Sequence, residues 1–120
     1  MMELREFFAA YGADYDATMG RFLGNEQMYA RFLDMFFDDE NLQKLGDALA
    51  AGDLTAAFEA AHTLKGVAGN LGLTPLYQAV CGIVEPLRGR EARDYGEMYQ
   101  AIRSDFERIR TLRGQQKGEG

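Results

Sequence analysis

The stretch Ala61-His62-Thr63-Leu64-Lys65-Gly66-Val67-Ala68-Gly69-Asn70-Leu71-Gly72 holds the only histidine of the 120-residue chain. An ordinary imidazole titrates near about pH 6.5, so at neutral pH most of it is uncharged and offers a nucleophilic lone pair. Lys65 follows at i+3. An ammonium there disfavours the imidazolium form and can pair with a phosphoryl group placed on the ring. Gly66 and Gly69 follow at i+4 and i+7, each costing about 1 kcal/mol relative to alanine inside a helix. A lone exposed histidine is most often a plain surface residue, and a lone lysine a solvated one. The glycines set this pair apart, because a face without side chains lets another protein's backbone come down onto the ring. The alternative is that they admit a neighbouring helix. Gly66 lies well off the apolar stripe and favours access, whereas for Gly69, nearer the core, the two readings are balanced.

These residues need a helix to align them. Leu54, Ala57, Phe58, Ala61, Leu64, Ala68 and Leu71 recur at helical spacing, with Asp53 as cap and Gly72 as stop. At about 100° per residue, His62 falls roughly 120° from the centre of that stripe and points to solvent. Upstream, a short helix spans Glu3 to about Tyr11 and ends at Gly12. A second runs from an Asp14 cap to about Arg21. Asn25 caps a segment over 26–51, one bent helix or two, with Met28, Phe32, Met35 and Phe36 and then Leu42, Leu45 and Leu49 as its stripe. Phe36 and Phe37 cannot both face inward, and one of them is a candidate apolar docking patch beside His62. Thr74-Pro75 reads as cap and first residue of a helix over 74–89, carrying Leu76, Val80, Ile83 and Val84, which Pro86 should kink or end. The last helix covers about 91–113, with Tyr95, Met98, Tyr99, Ile102, Phe106 and Ile109 inside. Residues 1–113 then form one domain, and 114–120, without an apolar side chain, a disordered tail. Long amphipathic helices joined by short turns give an all-α fold, an antiparallel four-helix bundle with one or two short N-terminal helices.

Composition narrows the function. Hydrophobic residues make up 47% and charged residues 27%, as in an ordinary globular domain. One cysteine and one histidine exclude an intrachain disulfide and the usual Cys/His zinc sites. The net charge of −6 argues against a nucleic-acid footprint. Residues 1–60 carry a net −8 and residues 61–120 a net +2, so His62 sits in the more positive half. No apolar run is long enough to span a membrane, and Met1-Met2-Glu3-Leu4-Arg5-Glu6 does not read as a signal peptide, so a cytoplasmic location is expected. No Gly-Lys-Ser/Thr phosphate loop is present, so ATP chemistry is not expected. Asp14-x-Asp16-x-Thr18 fails as a calcium loop, because Met19 stands where the turn needs glycine. Asp38-Asp39-Glu40 reads as a solvated boundary, and Cys81 as buried and inert.

The run His62 to Gly72 resembles the signature of histidine-containing phosphotransfer (HPt) domains, roughly His-x-Leu/Ile-Lys-Gly-x-x-x-x-Leu/Phe-Gly. A looser resemblance covers about residues 14–113, including Leu-x-x-Leu-x-x-Ala-Leu-x-x-x-Asp from Leu42 to Asp53. It implies a phosphorelay intermediate of a two-component system, not an enzyme. His62 would accept a phosphoryl group from a receiver-domain aspartate or a kinase and pass it to another receiver aspartate. Lys65 would be its electrostatic partner and Gly66 its clearance, with Thr63, Gly69, Asn70 and Glu59 as the surrounding docking surface. Mg²⁺ and the acidic pocket would belong to the receiver, so no cofactor or metal is expected on this chain. Partners would be response-regulator receivers and a histidine kinase, bound transiently by a monomer, with no nucleic acid and no membrane. One position departs: many members carry a glutamine 22 residues after the histidine, where this chain has Val84. Two other readings remain, a helical adaptor that carries no phosphate and the isolated phosphotransfer domain of a larger hybrid kinase.

Overall fold

Most helices begin where a short side chain takes up a free backbone N–H. The carboxylate of Asp14 accepts from Ala17 N, the amide oxygen of Asn25 from Met28 N, and the carboxylate of Asp53 from Ala56 N, each at 3.0 Å. Glu3 and Glu6 form a reciprocal capping box ahead of Leu4. The structure, a computed structural model, describes residues 2–118. It places the helices as α1 (Leu4–Tyr11), α2 (Tyr15–Arg21), α3 (Glu26–Phe36), α4 (Asn41–Ala50), α5 (Leu54–Asn70), α6 (Thr74–Arg88) and α7 (Gly96–Gln116), with no strand among the described residues.

Segment 26–51 is therefore two helices. The break falls at Asp38-Asp39-Glu40, where Asp39 accepts from the backbone N–H and the side-chain amide of Asn41 at 2.7 and 2.8 Å. A local turn that satisfies its own donors is cheaper than a bent helix. The last helix begins at Gly96 rather than near residue 91, because the Tyr95 hydroxyl donates to Glu91 O at 2.6 Å and ties 91–95 into a turn. It also runs through Gln116, so 114–116 are helical where a tail was expected; 119–120 lie outside the described residues. Arg113, only 8% exposed, holds this end down.

Helices α4, α5, α6 and α7 pack in chain order across short connections, which makes consecutive members antiparallel, and α1 lies against α7. Helix α3 completes the bundle through aromatic contacts. The Tyr29 ring lies 5.3 Å from Phe8 and 5.1 Å from Phe22, and the Phe36 ring 5.2 Å from Phe106. Its buried face is Tyr29, Leu33 and Phe36, not the stripe Met28, Phe32, Met35 and Phe36. Phe36 and Phe37 both reach the Phe106 ring, and Phe36, though only 3% exposed, also lines the groove beside Thr63 and Gly66.

Start and stop of α5 and α6 depend on the N-terminal helices. The Tyr11 hydroxyl accepts from Leu76 N at 2.9 Å and donates to the Asp105 carboxylate. This long-range cap takes the place expected of Thr74, which is the first helical residue itself. Burial pushes the Tyr11 phenol up and keeps it protonated, as its donor role requires. Arg21 donates to Asn70 O at 3.2 Å and Gly69 O at 3.0 Å, filling the last carbonyls of α5. Pro86 does not end α6, which continues to Arg88, and Cys81 is half-buried rather than buried.

Gly72 follows α5 with φ +66°, and a β-carbon there would strike the buried Thr18 side chain. Gly72→Ala should therefore destabilise the fold by about 2–4 kcal/mol, combining left-handed strain with overpacking. Gly82, exposed within α6 with open space around it, is the control. Gly82→Ala should stabilise by about 0.5–1 kcal/mol in the same urea titration.

Asp34 of α3 receives Arg113 Nε at 2.8 Å and Arg113 Nη2 at 3.0 Å, with Lys117 Nζ at 3.3 Å. Hydrogen bonding from Arg113 holds the Asp34 carboxyl below its ordinary value, despite some desolvation. Because the folded pKa is depressed, this contribution is complete above the unfolded pKa of about 3.9 and is lost as pH falls through the lower folded value. Asp34→Asn should be less stable than the parent at pH 7, and the gap should close progressively below about pH 4 in parallel urea melts.

Candidate functional site

His62 is the middle residue of α5, exposed, while Ala57, Ala60, Ala61, Leu64 and Ala68 of the same helix are buried. The small alanines let α5 pack closely between α4 and α6, so the helix is held on its flanks and open outward. The imidazole makes no hydrogen bond among the described residues. Its ring stacks on Phe58, one turn earlier, with centroids 5.5 Å apart and planes 19° apart. Lys65 is half-buried and belongs to no ion pair among the described residues, so its ammonium is available to an incoming anion.

The two glycines separate. A β-carbon at Gly66 would meet nothing within 4 Å. At Gly69 it would stand 3.1 Å from the Tyr77 ring of α6. Gly66 is thus an open step beside the histidine, whereas Gly69 makes room for a neighbouring helix. The sequence left Gly69 undecided because the answer lies in Tyr77.

The remaining candidates fall on different flanks of α5. Thr63, Gly66 and Asn70 line an open groove of about 550 Å³ against Phe32, Met35 and Asp39. Glu59 and Thr63 line a second, more polar groove against Lys44 and Asp47 of α4. Gly69 faces a third, beside Thr18 and Arg21 of α2. Phe36, one of the two patch candidates, lines this groove as well, but the stripe reading misplaces Phe32 and Met35, which are 45% and 62% exposed. Such large apolar side chains are exposed at a cost, and clustered ones mark contact surfaces.

On the α6 side, Val84 is fully buried in the core and offers no polar atom to His62. Glu85 turns outward and pairs with Arg88 at 3.5 Å, and Gln78 is exposed. Among the described residues, no helix is long and apolar enough to cross a membrane, and no group of three or more His, Cys, Asp or Glu side chains could hold a metal ion.

Comparison with known proteins follows the same geometry. The family model described as "Hpt domain" matches residues 27–112. A solved structure, the histidine-containing phosphotransfer protein B (HptB) of Pseudomonas aeruginosa PAO1, is similar over 90% of this chain and 96% of that one, with 27% identity and a TM-score of 0.78. No curated protein matches the chain.

Proposed function

Since the chain belongs to the Hpt domain family, with a role in histidine phosphotransfer, we propose that His62 is its phosphoryl acceptor and that the donor and final acceptor are aspartates of receiver domains. The observation that carries this reading is the position of the single histidine: exposed on α5, with open space at Gly66 one turn further along. In the transfer step a lone pair of the ring nitrogen forms the N–P bond as the P–O bond to the donor aspartate breaks, and the carboxylate leaves. The return step reverses these bonds on a second receiver. Little covalent chemistry is asked of this chain, so its contribution is positioning and charge. Lys65 stands at i+3 to meet the phosphoryl oxygens.

The groove of Thr63, Gly66 and Asn70 with Phe32 and Met35 supports docking of a receiver beside His62. Glu59 extends that surface along α5 through the neighbouring groove, and Gly69 acts through packing on Tyr77. Contact of this kind is brief and small, below about 1,200 Å² in total, which suits a carrier that must release its partner after each transfer. The test is phosphotransfer profiling: purified phosphorylated receivers are mixed with this protein and the label is followed. Label that appears on this chain, is lost in acid and survives alkali supports the reading. Receivers that bind but never label it would favour a non-phosphorylated adaptor.

A further inference from the structure

Phe58 is the aromatic residue of α5. It is half-buried, and its ring lies offset and nearly parallel to the His62 imidazole, with centroids 5.5 Å and planes 19° apart. Two guanidinium groups close over the same ring, Arg90 at 5.0 Å and Arg88 at 5.1 Å from its centroid. Arg88 is paired with Glu85, but Arg90 enters no ion pair among the described residues. Arg90 is nonetheless fixed. Its Nε donates to Thr55 Oγ1 at 3.1 Å, and its Nη1 donates to Leu87 O at 2.8 Å and Arg88 O at 3.2 Å. Its backbone takes φ +52°, a left-handed conformation usual for glycine, while Gly89 beside it has φ −82°. Hydrogen bonds to the end of α6 and to Thr55 hold a long cationic side chain over Phe58 in spite of that conformation.

The consequence concerns the imidazole. The outer torsion of a histidine side chain is broad and soft, so an exposed ring without hydrogen bonds turns freely. Offset stacking on an aromatic neighbour at i−4 removes much of that freedom, and a cation over the neighbour's ring keeps the neighbour in place. We propose that Phe58, braced by Arg90, is a positioning residue that fixes the plane of the His62 ring for phosphoryl transfer, supplying by stacking an orientation that no hydrogen bond among the described residues supplies. This rests on the reading of His62 as the acceptor.

The single histidine gives one pair of imidazole proton resonances, so the stack can be read by NMR without any transfer reaction. In Phe58→Leu those resonances should move toward free-histidine positions, and transfer from a phosphorylated receiver should slow about tenfold. Phe58→Tyr, which keeps the ring, should keep both the resonances and the rate. Arg90→Ala, an exposed change that leaves the core intact, should slow transfer about threefold, and it tests the proposal even if Phe58→Leu folds poorly. A Phe58→Leu protein with a wild-type melting curve and a rate within about twofold of the parent overturns the proposal, whether or not the resonances move. Failure of the underlying reading looks different: His62→Gln would then accept label like the parent.

Discussion

His62→Gln should take up no label from a phosphorylated receiver under conditions that label the parent to completion. Glutamine approximates the reach and polarity of histidine, but its amide nitrogen has no lone pair free for attack. No second imidazole exists in the chain to replace it. The loss should therefore exceed about a thousandfold, the scale seen when a nucleophile is removed rather than misplaced. Stability should change by less than about 0.5 kcal/mol, because the side chain is exposed and makes no hydrogen bond among the described residues. Receiver binding should also persist, since the groove lined by Phe32, Met35, Thr63 and Gly66 is untouched. Folding, docking and transfer are thus separable in one variant. Label that persists in His62→Gln would falsify the assignment, and its acid or alkali lability would show which residue type had taken it.

How far the sequence reached follows the range of the interactions. Caps at Asp14, Asn25 and Asp53 are local, three residues from the N–H they satisfy, and were legible. Exposure of His62 was legible too, because the alanine and leucine stripe of α5 leaves one outward face. The stripe of α5 counts Phe58 as core, although its i−4 relation to His62 places the two rings on adjacent parts of one face. Other features depend on partners far along the chain. Tyr11 caps α6 across 65 residues, and no local pattern at Thr74 announces that. Apolar residues cover more than half the circumference of α3, wider than the face it buries, so periodicity alone could not say that Leu33 goes inside while Phe32 and Met35 stay out. Gly46 has a similar explanation: a β-carbon there would strike Tyr99 of α7, whose hydroxyl donates to Leu42 O at 3.1 Å. Small residues at close approaches are visible in a sequence, but what approaches them is not.

The same distinction makes Gly66 the sharper of the two site glycines to test. Gly66→Gln should slow transfer about a hundredfold while leaving the melting temperature unchanged or higher. The two effects have separate causes. Within α5 a glycine is a weak helix former, and a side chain there enters open space, because among the described residues no atom outside the local helix backbone lies within 4 Å of the β-carbon it would add. Stability can therefore only be neutral or gain up to about 1 kcal/mol. Transfer needs the donor phosphorus brought to within bonding range of the imidazole, with the receiver's backbone seated over the next turn of α5. A glutamine at that turn fills the space and holds the two chains apart, and misplacement of about 1 Å costs on the order of a hundredfold. Gly66→Ala should lie between, since one methyl group reaches little beyond the helix surface. A loss of transfer with a falling melting temperature would point instead to structural damage, and a Gly66→Gln protein with undiminished transfer would remove clearance as the reason for the glycine. A rate that falls while stability holds or rises, graded from alanine to glutamine, is what clearance for docking at His62 predicts.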